Sequence, residues 1–149
     1  MNSGAQAHRR KAVFLDRDGT LIEDRGDIRS TADVAFYPAA FDAVRRLQSQ
    51  FMLFIVTHQP WIARGVLTVA EVDAVNRYVV DTLRECGAEI QGVYCCPHDR
   101  AEQCRCIKPK PFFLEQAAAE YGIDLTRSYS VGDHPHDVAF AENVGGTGI

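Results

Sequence analysis

The stretch "AVFLDRDGTL" (Ala12–Leu21) decides the fold. Four apolar residues, Ala12 to Leu15, run without interruption and stop at the charged turn Asp16-Arg17-Asp18-Gly19. A short apolar run that ends abruptly in turn residues is the pattern of a strand buried on both faces, and such strands belong to parallel sheets. Three further runs share the form: "MLFIV" (Met52–Val56), "GVYC" (Gly92–Cys95) and "SYSV" (Ser128–Val131). Helical stripes lie between them. Phe41, Val44 and Leu47 share one face, and Val72, Val75, Val79 and Leu83 form a longer one behind the capping box "TVAE" (Thr68–Glu71). Leu114, Ala117, Ala118 and Tyr121 make a third stripe, stopped by Gly122, and a fourth helix follows "GDHPHD" and ends near Gly145. Strand–helix alternation predicts an α/β fold: a Rossmann-like parallel sheet with helices on both faces.

The chain has 149 residues, enough for one domain that buries its own core without staples. Residues 1–10 read as a flexible polar tail and 11–149 as the single domain. Net charge is −4, against a nucleic-acid or anionic-membrane partner but not against a local pocket for a small anion. No apolar run approaches the ~20 residues of a bilayer span, and nothing directs export. The expectation is a cytoplasmic monomer. Reduced thiols are the rule there, so four cysteines clustered in "CCPHDRAEQCRC" (Cys95–Cys106) favour a metal over disulfides.

Ligands of such sheets bind at the carboxyl ends of the strands. There the sequence places "DRDGT" (Asp16–Thr20), Thr57, Lys108 behind the cysteine cluster, and "GDHPHD" with Asp133 and Asp137. Carboxylates, a hydroxyl and an ammonium converging on one rim suit phosphoryl transfer from a monoester. Clustered carboxylates bind Mg²⁺, one can attack phosphorus, and another can protonate the leaving oxygen. The hydroxyl, backbone N–H groups and lysine can hold the charge of the transferring group. Asp137 also reads as a helix-capping residue at N3, with Pro135 at N1.

In order, "FLDRDGT", Thr57, Lys108 and "VGDHPHD" resemble the four motifs of the haloacid dehalogenase-like (HAD) phosphatases, over nearly the whole chain. The stretches "VTHQPWIARGVLT" and "CPH…CRCIKPKP" resemble its small capless branch, which acts on heptose bisphosphate or histidinol phosphate. The resemblance implies a small phosphorylated metabolite as substrate, a sugar phosphate such as D-glycero-D-manno-heptose 1,7-bisphosphate first, with histidinol phosphate or an inactive phosphate-binding module as alternatives. It implies Asp16 as nucleophile and Asp18 as general acid and base. Mg²⁺ would sit on the carboxylates of Asp16 and Asp133 and the carbonyl of Asp18. Thr57, Lys108 and the N–H of His58 would bind phosphate, and Arg64 is a substrate contact. A receiver domain uses similar parts, but in a different order along the chain.

Cys96, His98, Cys104 and Cys106 then complete a closed tetrahedral set for structural Zn²⁺. Successive strand residues point oppositely, so only one of Cys95 and Cys96 faces that site, and the family pattern selects Cys96. The chain departs from the resembled pattern at Pro60, Trp61, Ile107 and His134. The last two remove positive charge and weaken a bisphosphate substrate. At "VGGTGI" (Val144–Ile149) the resembled family begins another strand, so a domain truncated at its last strand, with that edge of the sheet exposed, is the expectation.

Overall fold

The computed structural model describes residues 9–149. Five strands form one parallel sheet: β1 (Ala12–Leu15), β2 (Met52–His58), β3 (Gly92–Cys96), β4 (Tyr129–Val131) and β5 (Thr147–Gly148). Their order is β3-β2-β1-β4-β5, which puts the first strand of the sequence in the centre. Four helices connect them: α1 (Pro38–Leu47), α2 (Val69–Glu85), α3 (Phe112–Tyr121) and α4 (Pro135–Glu142).

The alternation of strand side chains sorts the core into two halves. Val13, Leu15, Leu53 and Ile55 face one way and pack with Val44 of α1 and Val75, Val79 and Leu83 of α2. Ala12, Phe14, Phe54 and Val56 face the other way and meet Leu114 and Ala117 of α3 and Phe140 of α4. Phe14 and Phe54 stack at 5.2 Å between centroids, and Tyr121 of α3 meets Phe54 edge-on at 5.0 Å. Both faces are covered, which is why these strands read as unbroken apolar runs.

The helix ends follow the expected chemistry. Thr68 and Glu71 form a reciprocal capping box at α2, and Gly122 closes α3 with φ +66°, a conformation a side chain resists. Two strands run past their expected ends: β2 continues through Thr57 and His58, paired with Cys95 and Cys96 of β3. Strand pairing persists there because the polar rim still has neighbours to bond. Most of the expected tail, residues 1–8, lies outside the described part; Arg10 is bonded to the backbone of Gly122 and Asp124. The edge strand β5 is formed, two residues long, and pairs with β4. Among the described residues no helix is long and apolar enough to cross a membrane.

Candidate active site

The carboxyl ends of β1, β2 and β4 and the loop after β3 surround a cavity of about 210 Å³. Asp16, Asp18, Thr57, Lys108, Trp61 and His134 are among its walls. Two larger clefts, of about 510 and 350 Å³, lie elsewhere and contain none of the strand-end carboxylates. The chemistry therefore sits in the smallest of the three.

Asp16 leaves β1 with its N–H bonded to Val131 of β4 (2.9 Å), so the strand pairing itself aims its side chain. The turn that follows reverses at Gly19, φ +83°, and a Cβ there would overlap the carboxylate of Asp133. The glycine lets residues 16 and 133, far apart in sequence, share one corner. Lys108 is buried beside them. Its ammonium donates to Asp16 Oδ1 (3.0 Å), to Asp137 Oδ1 (2.6 Å) and to the carbonyl of Val56 (3.0 Å), which uses all three protons.

One ammonium does not balance three carboxylates. Burial pushes the Asp16 carboxyl up to about 7; Lys108 opposes this and the Asp137 charge adds to it. Asp133 goes the other way: against some burial, hydrogen bonds from Asp16 and His134 hold it below the usual carboxylate range. Carboxylates gathered at one corner with a single ammonium suit a hard divalent cation, whose charge would offset theirs. Ligand atoms of Asp16, Asp133, His134 and Asp137 all lie within 4.8 Å of one another.

Thr57 is buried, and its hydroxyl oxygen accepts from Gln59 Nε2 at 2.9 Å. Its proton is then left to donate into the cavity. The same Gln59 nitrogen reaches Asp18 Oδ2 at 3.0 Å, while Arg17 grips Asp18 through two parallel bonds of 2.9 and 3.0 Å. His58 Nε2 donates to the carbonyl of His98 at 2.6 Å, which ties the end of β2 to the cysteine loop.

In that loop Cys96, His98, Cys104 and Cys106 converge. Sulfur–sulfur separations are 3.1, 3.5 and 3.7 Å, and His98 Nδ1 lies 3.3 Å from Cys106 and 3.8 Å from Cys96. The thiols are not disulfide-bonded. Ligands about 2.0–2.3 Å from a central ion would stand at about these separations in a tetrahedron. Burial and the Cys106 thiol push Cys96 up, whereas Cys104, despite burial, is brought down to about 7 by bonds from Cys96 and Cys106. Cys95 points away, to the far side of the sheet beside Asp73 and Asn76.

The HAD-hydrolase-like family model matches residues 105–149. A D-glycero-beta-D-manno-heptose-1,7-bisphosphate 7-phosphatase of Yersinia pestis is 38% identical over 90% of this chain and 77% of its own. The enzyme of the same name from Escherichia coli K12 is 36% identical over 90% of this chain and 75% of its own. The solved structure of D,D-heptose 1,7-bisphosphate phosphatase from B. bronchiseptica, complexed with magnesium and phosphate, superposes with a TM-score of 0.85. It is 28% identical, covering 93% of this chain and 78% of that one. The chain belongs to the HAD phosphatases.

Within this HAD phosphatase one expected substrate contact, Arg64, is absent from the cavity walls. Arg64 pairs with Asp99 at 2.6 Å and lies over the Trp61 ring at 5.3 Å, so it braces the cysteine loop. Ile107, the departure next to Lys108, is buried in the core half shared by Phe113 and Leu114. Two residues that the sequence reading missed are central: Arg17 and Gln59. Arg17 and Gln59 follow strand-end residues by one and two positions, and that proximity was the available signal. Asp137 caps α4, accepting from the His134 N–H at 3.2 Å as expected, but its other oxygen holds Lys108.

Proposed function

We propose that this phosphatase hydrolyses a small sugar phosphate through an aspartyl-phosphate on Asp16, with D-glycero-D-manno-heptose 1,7-bisphosphate as the first candidate. The observation that carries the reading is the Asp16 carboxylate at the cavity floor, bonded to Lys108 and sharing a corner with Asp133. The relatives named for that substrate support the choice of sugar.

Asp16 would attack phosphorus in line with the ester oxygen, forming its own P–O bond as the ester P–O bond breaks. Asp18 would give a proton to the departing alkoxide. Water would then attack the aspartyl-phosphate, Asp18 taking its proton and Asp16 leaving as carboxylate. Lys108, the Thr57 hydroxyl and the His58 backbone N–H would hold the phosphoryl oxygens. Asp16, Asp133 and the Asp18 carbonyl would hold Mg²⁺, whose charge offsets that of the phosphoryl group. Cys96, His98, Cys104 and Cys106 would hold Zn²⁺ with no open position, so it would shape the loop and take no part in the chemistry.

Histidinol phosphate is the second reading. Trp61, Asp24 and the stacked imidazoles of His134 and His136, 5.0 Å apart, line or flank the mouth. An aromatic wall with a carboxylate suits an aminated, imidazole-bearing ester. Phosphate release from both esters, with and without Mg²⁺, decides between them. Metal-dependent release from the heptose ester, lost in Asp16→Asn, is expected. Release from neither ester, in folded protein that still binds phosphate, would sink the enzymatic reading.

A further inference from the structure

We infer that Asn76, in the middle of α2, is a positioning residue for Asp18, acting through Arg17. The inference rests on the phosphatase reading above and adds a residue outside the cavity to it.

Arg17 is 1% exposed and has the largest fully buried side chain of the described residues. Its Nε and Nη2 bond the two oxygens of Asp18, and its Nη1 donates to Asn76 Oδ1 at 2.7 Å. Gln59, itself fully buried, donates to Asp18 Oδ2 from another direction. Three N–H groups thus pin the carboxylate from the protein side and leave the cavity side open.

Stability does not explain this arrangement. Burying a guanidinium carries a desolvation penalty of several kcal/mol, and an apolar side chain of similar volume often serves a fold as well or better. The turn has its own bonds: the N–H groups of Leu21 and Ile22 reach the Arg17 carbonyl and that of Gly19 reaches Ile22. The guanidinium does something else. It is a rigid planar fork, so its direction decides the direction of the carboxylate it grips. Arg17 and Asp18 are neighbours in one turn and would swing together unless something fixed the far end of the fork. Asn76 is that anchor, on a helix whose apolar face is locked into the core by Val72, Val75, Val79 and Leu83. On its other side Asn76 borders the cleft of about 350 Å³ with Asp73 and Cys95, and it is absent from the walls of the catalytic cavity.

A proton donor matters in proportion to how badly the leaving oxygen needs a proton. An alkyl ester needs one; p-nitrophenyl phosphate leaves as a stable phenolate. Because kcat/KM reports only steps up to the first P–O cleavage, the ratio of the two substrates isolates proton donation from everything else. In the Mg²⁺-loaded protein, Asn76→Leu should lower kcat/KM for the heptose ester about tenfold or more, since small misplacement of an acid is costly. It should change p-nitrophenyl phosphate less than threefold. Asn76→Asp, which keeps an oxygen acceptor for Arg17, should restore the ratio to within threefold of the original. A merely structural role moves both esters by one factor, and an equal fall, or no change in either, overturns the inference. If Asn76→Leu does not fold, Asn76→Ser serves in its place, with the same ratio as readout. Original protein that cleaves neither ester overturns the phosphatase reading and this inference with it; cleavage of both with an unmoved ratio overturns the inference alone.

Discussion

Asp16 shows how a reactive group is held at odds with the fold around it. Its carboxyl sits at about 7 because burial disfavours its charge. The folded-state value lies above the ordinary carboxyl value of 3.8, so the group's contribution to stability is present in full below that ordinary value. It is lost as pH rises through about 7. Without Mg²⁺, the protein should therefore melt at a lower temperature at pH 8 than at pH 5, as far as this group decides. Asp16→Asn should abolish turnover yet flatten that difference and raise the melting temperature at pH 8. Thermal melts at both pH values, without chelator so that the cysteine loop is left alone, test this; an unchanged slope would show that Asp16 is not the group responsible. Asp16, Thr57, Lys108 and Asp133 were legible in the sequence because each directly follows a strand or its loop, and an α/β sheet places such residues on one rim. Arg17, Gln59 and Asn76 were not legible. Their roles depend on where long side chains end, and Arg17 reaches a partner 59 positions away. The end point of Arg64 was not legible for the same reason: its guanidinium reaches Asp99.

Among the elements, β2 carries the most. It pairs with strands on both sides and buries side chains on both faces. Phe54 at its centre is fully buried among Phe14, Tyr94 and Tyr121. Phe54→Ala should cost about 3–5 kcal/mol, read as a lower denaturant midpoint with an unchanged slope. The strands and helices were legible because their periodicities are strong; the extra residues of β2 were not, because hydrogen bonding extends a strand beyond its apolar run. The loop after β3 gathers Cys96, His98, Cys104 and Cys106, the set proposed to hold zinc. It touches the site at three places: His58 bonds the His98 carbonyl, the Gln59 N–H bonds the Cys96 carbonyl at 2.8 Å, and Lys108 follows Cys106 by two residues. Protein purified without added metal should contain about one zinc per chain by elemental analysis. Its removal by chelator should lower turnover even at saturating Mg²⁺, and full activity in zinc-free protein would contradict the loop's proposed role.

At the scale of the molecule, the sheet order sets how the site comes together. Asp16 and Asp133 follow the ends of neighbouring strands, but 116 residues separate them. Parallel pairing across such separations is slow to form, so refolding should take milliseconds to seconds or longer, measured by stopped-flow fluorescence of Trp61. Refolding on the microsecond scale of helical bundles would contradict this. The central position of β1 has a consequence for synthesis. As the chain leaves the ribosome, β1 can pair with β2 early, but its other flank stays bare until β4 emerges. Through that interval the nascent protein presents an apolar, unpaired strand margin and a half-built acidic corner. It is both prone to sticking and unable to act, and the arrival of β4 ends both conditions at once.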